Sequence, residues 1–502
     1  MDYRKLKSGS DVRGVAAGEN AMLTTDVAKT LGVAFVRYLA DKTQKPVEQI
    51  SIALGRDSRI TGPALLGATA EGIVAAGANA VDYGMCTTPA MYMAILTEGF
   101  APDGSIMLTA SHHPWQLNGL KFFTTDGGLG FHELDAVLDI AQHLEKIESV
   151  STGEIEKQPF LDTYQEHLKQ LIINAIDPDV QKPLLGLHVV VDAGNGAGGF
   201  YAAMLESLGA WVEGSQFLEP DGYFPNHVPN PEDKVAMASI SAAVKRSNAD
   251  LGVIFDADCD RAAIVDHTGK EINRNRLIAL ISAILLDETP GATIVTDSVT
   301  STGLTSFIRE WGGEHYRYKR GYRNVIDEAI RLNEAGIDCP LAIETSGHAA
   351  LRQNHFLDDG MYLVTILLIK AMQMKQQGET LSKLLDGLRE PVESVEIRLP
   401  VMAEDFAAVA KRAIEYVMEY ASQNEEEWHV APDNREGVRI SFDVDNELQS
   451  AWFLLRLSVH DPVMPLNAES DVPGGVKVVL GKLLEALVNE PEIDIAPLMA
   501  VL

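Results

Sequence analysis

Cysteine is scarce in this chain. Cys86, Cys259 and Cys339 are its only three in 502 residues, too few and too scattered for a disulfide framework or a paired-cysteine metal site, which fits a reducing compartment. Basic residues are also in deficit. With 41 Lys and Arg against 72 Asp and Glu, the formal charge is −31, which argues against nucleic acid, whose binders need a basic face to displace counterions. Long apolar runs are missing as well. The longest, such as LIALISAILL, is too short to span a bilayer, and the N-terminal MDYRKLKSGSDVRG lacks the apolar core of a signal peptide. The expectation is a chain with no membrane partner and no export, located in the cytoplasm, or in the plastid stroma if its source is a plant. None of these absences bears on small substrates, because a local basic cleft can oppose the global sign.

What is present is an ordinary globular composition, 46% hydrophobic and 23% charged, over a length that calls for three or four domains with separate cores. Three segments repeat one plan of strand, polar or glycine-rich turn, helix and second strand. The first reads QISIALGRDSR, ALLGATAEGIVAAG, ANAVDYG. The second reads LHVVVDAGNG, GFYAAMLESLG, AWVEGSQF, and the third GATIVTDSVTS, GLTSFIREWGG, EHYRYK. Each reads as a βαβ unit, which implies parallel pairing. After each unit comes an apolar strand ending in a polar loop: GSIMLTASHHP, ADLGVIFDADCDR and PLAIETSGH. Ligands of open α/β sheets sit beyond the carboxyl ends of strands, so these loops are expected around a central cleft. From about residue 391 a different pattern of strands and long helices reads as a separate α+β domain. The expected segments are 1–152, 153–270, 271–390 and 391–502: three similar α/β domains with mixed, mainly parallel sheets, then the α+β domain.

In FDADCDR, Asp256, Asp258 and Asp260 alternate, so an extended backbone would aim all three carboxylates to one side, where a hard divalent cation, most plausibly Mg²⁺, neutralises them. An EF-hand is excluded, because its sixth and twelfth places, which need Gly and Glu, hold Arg261 and His267. Arg261 then lies within reach of a metal-bound phosphate. TASHHP places Ser111 before His112 and His113, yet no GxSxG elbow occurs, and an imidazole adjacent in sequence rarely points at the preceding serine's oxygen. Alone, such a loop reads equally as a turn whose Ser and His satisfy backbone groups.

ETSGH offers Glu344, Ser346 and His348, a set suited to sugar hydroxyls, although a capped helix start would look the same. YRYKRGYRN, with Arg317, Lys319, Arg320 and Arg323, reads as an anion site or a solvated helix start, and RLSVHDP brings Arg456, Ser458 and His460. DAGNGAGG carries Gly194, Gly196 and Gly199 in GxGxxG spacing between strand and helix, with Glu213 after the next strand, the pattern of a dinucleotide site. An NAD-dependent dehydrogenase is therefore the runner-up, but it leaves the triple-Asp loop, the serine loop and the basic cluster unexplained.

Taken in order, these motifs resemble the α-D-phosphohexomutase family, the phosphoglucomutases and phosphomannomutases, over the whole length. SDVRG is similar to that family's DIRG segment, TASHHP to its phosphoserine loop, DADCDR to its metal loop, ETSGH to its sugar-binding loop and RLSVHDP to its C-terminal phosphate loop. DGYFPNHVPNPED at 221–233 and LDDG at 357–360 also resemble family signatures.

The resemblance implies that Ser111 carries a phosphoryl group and joins Asp256, Asp258 and Asp260 in holding Mg²⁺. It implies interconversion of hexose 1-phosphate and hexose 6-phosphate, of glucose or mannose, through a hexose 1,6-bisphosphate that in catalytic amounts also serves as activator. Lys121, Arg13 and His348 are then the residues for proton transfer. His112, Arg261, Arg320, Glu344, Ser346 and His348 would contact the sugar phosphate, while Arg456, Ser458 and His460 hold the non-reacting phosphate. Departures from the commonest pattern are His113 for Asn, Ala257 and Cys259 for glycines, Tyr322 where a Gly-His pair is frequent, and VHD after Ser458. NGxKFFT, DxDxDR and RxSxxDPVxPLN are instead similar to the phosphomannomutase/phosphoglucomutase branch of plastids and some bacteria. A sugar-phosphate-binding protein without turnover is a third reading. The preferred hexose, the split between acid and base, and the oligomeric state, a homo-oligomer included, are left open.

Overall fold

Gly104–Leu108 and Leu251–Phe255 are buried at every position, as strands covered on both faces must be, and this explains why they read as unbroken apolar runs rather than alternating ones. In the computed structural model, which describes residues 2–144, 153–458, 461–488 and 490–502, the chain packs as two units. One comprises 1–277 and 346–384, the other 278–345 and 385–502.

The first unit contains two mixed sheets. In the larger, Ser51–Arg56 pairs in parallel with Asn79–Met85 and with Gly104–Leu108, and Leu117–Thr124 adds antiparallel to the latter. Asp11–Val15 joins at that side, and Ile155–Lys157 extends the other edge beyond Asn79–Met85. Helices Thr25–Thr43 and Gly62–Ala75 cover it, with Phe35, Leu39, Ile52, Leu54, Ile106 and Phe122 in the core. In the smaller sheet Leu251–Phe255 lies parallel to Val189–Asp192 and antiparallel to Ala262–Asp266. The helix Gly360–Gln376 belongs to the same unit.

In the second unit Thr293–Asp297 runs between Glu314–Tyr318 and Leu341–Ile343, all parallel. A five-stranded antiparallel sheet follows, in which Val463–Ser470 pairs with Glu393–Pro400 and Glu447–Leu455. Helices Phe406–Gln423 and Gly475–Leu487 pack Val417 and Leu480 onto Phe442 and Phe453. The architecture is thus three α/β repeats and a fourth, sheet-bearing domain. The expected boundary at 152 lies in 145–152, outside the described residues.

One expected strand is absent. AWVEGSQF touches the sheet only through isolated bridges at Trp211 and Gln216, because Gly214 at φ +90° and the bond from Ser215 N to Val212 O turn the chain between them.

At the end of Val189–Asp192, the buried Asp192 meets His227, whose Nε2 donates to the carboxylate at 3.1 Å while Nδ1 donates to Val228 O at 2.8 Å. Both ring nitrogens then carry protons. Although burial disfavours the imidazolium, the bond and attraction to Asp192 prevail and raise its pKa. Stability from this pair is complete below the unfolded histidine's pKa and is lost as pH rises through the folded one. Replacing His227 by Ala removes the cation facing Asp192 but leaves it the donors Gly194 N at 2.9 Å and Gln216 Nε2 at 2.7 Å, and a cost of roughly 1.5–3 kcal/mol at pH 6 is expected, the worth of a hydrogen bond to a charged group. Urea titrations of both forms at pH 6 and pH 9 check this, with the difference shrinking at the higher pH.

Candidate active site

The strand Gly104–Leu108 delivers Ser111 three residues beyond its carboxyl end, and Leu251–Phe255 delivers Asp256 directly at its own. Ser111 is buried and sits at φ +50°, a left-handed conformation that costs a non-glycine residue roughly 1–2 kcal/mol. Strain of this kind persists where surrounding contacts over-determine it. Here Ser111 Oγ donates to Asp256 Oδ2 at 2.8 Å and accepts from Arg261 Nη2 at 2.9 Å, while Arg261 Nε donates to Asp256 Oδ2 at 3.0 Å.

Contrary to the expectation from sequence, His112 does turn toward the serine. Its Nδ1 lies 3.3 Å from Ser111 Oγ and accepts from Arg261 Nη2. Burial, with Arg261 next in importance, holds His112 well below its ordinary pKa. It is therefore a neutral acceptor rather than a cation. His113, pushed down to about 4 by burial and Arg13, accepts from Arg13 Nη1 at 3.0 Å. Arg13 also pairs with Asp11 at 3.0 Å.

The three aspartates converge, but not by strand alternation. Residues 256–260 form a tight turn closed by Cys259 N to Asp256 O, with Cys259 at φ +65°, a left-handed conformation that favours the glycine it departs from. Their carboxylate oxygens lie within 4.8 Å of one another and all three residues are buried. Thr88 Oγ1 and Lys121 Nζ donate to Asp258 Oδ2 at 2.5 and 3.0 Å, and Lys121 also pairs with Asp260. Burial, Asp260 and Asp258 push Asp256 well above the usual carboxylate range. Asp260 is held low because Lys121 and Arg261 outweigh its burial. Asp258 Oδ1 and Asp260 Oδ1 accept no hydrogen bond among the described groups. A buried set of hard oxygen donors with free lone pairs fits a divalent cation.

His348 stands on the same side. Its Nε2 is 3.7 Å from Asp260 and 3.6 Å from Asp358, and Nδ1 is 2.9 Å from Ser346 Oγ. Burial and then Arg261 lower its pKa. The LDDG signature explains itself here: Asp359 caps the helix Gly360–Gln376, and a Cβ on Gly360 would meet the Arg261 carbonyl carbon at 2.6 Å.

Of the residues named from sequence, Ser111, His112, Asp256, Asp258, Asp260, Arg261, Lys121 and His348 form one cluster in the first unit, with Arg13 reaching it through His113. Ser346 joins through His348. Glu344, Arg320, Arg456 and Ser458 belong to the second unit, and His460 lies outside the described residues. There Glu344 accepts from Gly321 N at 2.6 Å, and burial and Asp297 push it up to about 7. Arg456 Nε is buried without a hydrogen-bond partner among the described groups, and burial and Arg320 lower the group's pKa. Arg317, by contrast, is held by Asp433 at 2.7 Å and is structural.

Sequence reasoning missed Asp57, Arg59, Thr88 and Thr109. GRDSR was read only as the polar turn after a strand, and the pair of opposite charges there, Asp57 and Arg59, was the available signal; no signal marked Thr88 or Thr109. The dinucleotide pattern has another use. A Cβ on Gly196 would lie 2.6 Å from Ala257 O, and Ala197 N already donates to Ala257 O at 2.9 Å. Gly196 lets the turn pack against the aspartate loop, and the amides a pyrophosphate needs are engaged: Gly194 N by Asp192, Asn195 N by Phe217 O, Gly196 N by Ala193 O and Ala197 N by Ala257 O.

Comparison with known proteins agrees with this geometry. Residues 4–150, 162–269 and 273–392 match phosphoglucomutase/phosphomannomutase alpha/beta/alpha domains I, II and III. A phosphomannomutase/phosphoglucomutase of Pseudomonas putida is 31% identical over 448 residues, covering 88% of this chain and 89% of the relative. A phosphoglucomutase of Neisseria gonorrhoeae is 27% identical over 492 residues, 98% of each chain. The crystal structure of a family protein from Burkholderia thailandensis superposes with a TM-score of 0.80 at 29% identity, over 98% of both chains. The chain belongs to the phosphoglucomutase/phosphomannomutase family of phosphohexomutases, isomerases that act by phosphoryl transfer. No described helix is long and apolar enough to cross a membrane.

Proposed function

We propose that this chain interconverts hexose 1-phosphate and hexose 6-phosphate, of glucose or mannose, with Ser111 as the phosphoryl carrier. The observation that carries the reading is the Ser111 hydroxyl, buried between the Asp256 carboxylate and the Arg261 guanidinium beside two further aspartates. The names of the relatives supply the substrate class.

Phosphorylated Ser111 gives its phosphoryl group to the free hydroxyl of the hexose monophosphate. The bond from phosphorus to the serine oxygen breaks, the bond to the sugar oxygen forms, and the hydroxyl proton passes to a base among Lys121, Arg13 and His348. The resulting 1,6-bisphosphate turns over and returns its other phosphoryl group to Ser111, and in trace amounts it recharges a dephosphorylated serine. Arg261 holds the phosphoryl oxygens, His112 accepts from Arg261 and keeps it in line, and burial of Ser111 excludes water. Asp256, Asp258 and Asp260, with the Ser111 oxygen, would hold Mg²⁺, which when bound draws charge off the phosphoryl group. We assign the sugar hydroxyls to Glu344, Ser346 and His348, and the non-reacting phosphate to Arg320, Arg456, Ser458 and His460. The four expected segments, 1–152, 153–270, 271–390 and 391–502, would each contribute one of these loops.

Conversion of glucose 1-phosphate or mannose 1-phosphate, with Mg²⁺ and a trace of the 1,6-bisphosphate, tests the reading through coupled dehydrogenases. Turnover of at least one is expected. Calorimetric binding without conversion of either would overturn it in favour of a sugar-phosphate-binding protein.

A further inference from the structure

Arg59 is fully buried, and so is its partner Asp57. A guanidinium in such a place needs every N–H satisfied. Nε donates to Asp57 Oδ2 at 3.1 Å, Nη1 donates to Pro114 O and Leu117 O at 2.8 and 2.9 Å, and Nη2 donates to Ser111 O and His113 O at 2.5 and 2.7 Å. The whole fork is thereby engaged, and four of its bonds end on carbonyls of the loop that presents Ser111. The same aspartate reaches that loop a second time: Thr109 Oγ1 donates to Asp57 Oδ2 at 2.7 Å and accepts from Ser111 N at 2.8 Å.

The serine's left-handed backbone is thus gripped at its carbonyl by Arg59 and at its amide by Thr109, both anchored on Asp57. The DGYFPN signature supports the grip from outside. Phe224 lies under the Arg59 guanidinium at 5.1 Å, and a Cβ on Gly222, which bridges to Arg59, would meet Ser58 O at 2.3 Å, so this segment can only approach with glycine there.

We infer that Asp57, with Arg59 and Thr109 anchored on it, is a positioning device that holds Ser111 in its strained conformation and so sets the line of phosphoryl transfer, without touching substrate. The inference rests on the phosphoserine reading above. An Arg59→Lys variant cannot reproduce a planar fork on four carbonyls, but it leaves a buried ammonium and can fail to fold, so Thr109→Val is the primary test. That change keeps shape and burial and removes only the hydroxyl between Asp57 and the Ser111 amide.

The measurement is kcat and KM for the hexose phosphate in Thr109→Val, Thr109→Ser and Ser111→Ala, together with the rate at which glucose 1,6-bisphosphate phosphorylates Ser111. A loss on the order of 10- to 100-fold in kcat and in phosphorylation rate, with KM within about twofold, is expected for Thr109→Val, because misplacement by about 1 Å can cost on the order of 100-fold. Thr109→Ser should restore both. Wild-type kcat in Thr109→Val beside an inactive Ser111→Ala overturns the positioning role and leaves the phosphoserine intact. Full turnover in Ser111→Ala overturns the reading beneath it. A rise in KM with unchanged kcat also contradicts the inference, since it would make the loop a binding element.

Discussion

Replacing Ser111 by Ala removes mutase turnover, by on the order of 10⁵-fold or more, while the chain still folds. Nucleophile deletions have effects of this size because the remaining groups have no atom to which the phosphoryl group can be passed. The fold tolerates the change. Asp256 Oδ2 loses one donor but keeps Arg261 Nε at 3.0 Å, and the loop keeps the bonds from Arg59 and Thr109, none of which involves the serine hydroxyl. The expected stability cost is about 1 kcal/mol, the worth of one hydrogen bond. Alanine at φ +50° adds no strain beyond what serine already bears there. Steady-state kinetics and a melting curve on the same preparation separate the two effects.

The second large effect concerns the aspartate loop. Removing divalent cations with EDTA, or changing Asp258 to Asn, should lower kcat by several kcal/mol of lost charge stabilisation, on the order of 10³-fold. Mg²⁺ should restore the chelated enzyme and leave Asp258→Asn slow. The substitution is mild for the fold, since Asn can still accept from Thr88 and Lys121. A readout independent of turnover exists. Three buried carboxylates within 4.8 Å face the ammonium of Lys121 and the guanidinium of Arg261, so binding a cation to the native state should raise the melting temperature in a concentration-dependent way. That shift should shrink in Asp258→Asn. Indifference of both activity and melting to chelation would remove the metal from the site.

How far these results could be read from sequence depended on whether a residue's role is local. The aspartates of 256–260 were legible as an acidic cluster able to hold a cation, and they do converge, although the turn at Cys259 rather than strand alternation brings them together. The apolar runs before each loop were legible for a similar reason, since burial on both faces leaves a composition signal. What escaped was long-range. Arg59 looks like one more surface arginine until the carbonyls of Ser111, His113, Pro114 and Leu117, more than fifty residues away, are found on it. His112 and Ser111 meet because a left-handed residue turns the chain, and no propensity signals a left-handed serine. The GxGxxG turn misled in the opposite sense: its glycines serve close packing, Gly194 on Pro229, Gly196 on Ala257 and Gly199 on Leu218, contacts that spacing alone cannot distinguish from a phosphate cradle.

The most direct test is chemical. The wild-type chain, incubated with glucose 1,6-bisphosphate and Mg²⁺, is digested and its phosphopeptides are mapped, before and after a chase with unlabelled hexose monophosphate. The expected result is one phosphoryl group on Ser111 that the chase removes at a rate matching turnover. A chain that turns over substrate with Ser111 unmodified, or that carries a phosphoryl group there which the chase leaves in place, would contradict the role of this serine as the phosphoryl carrier.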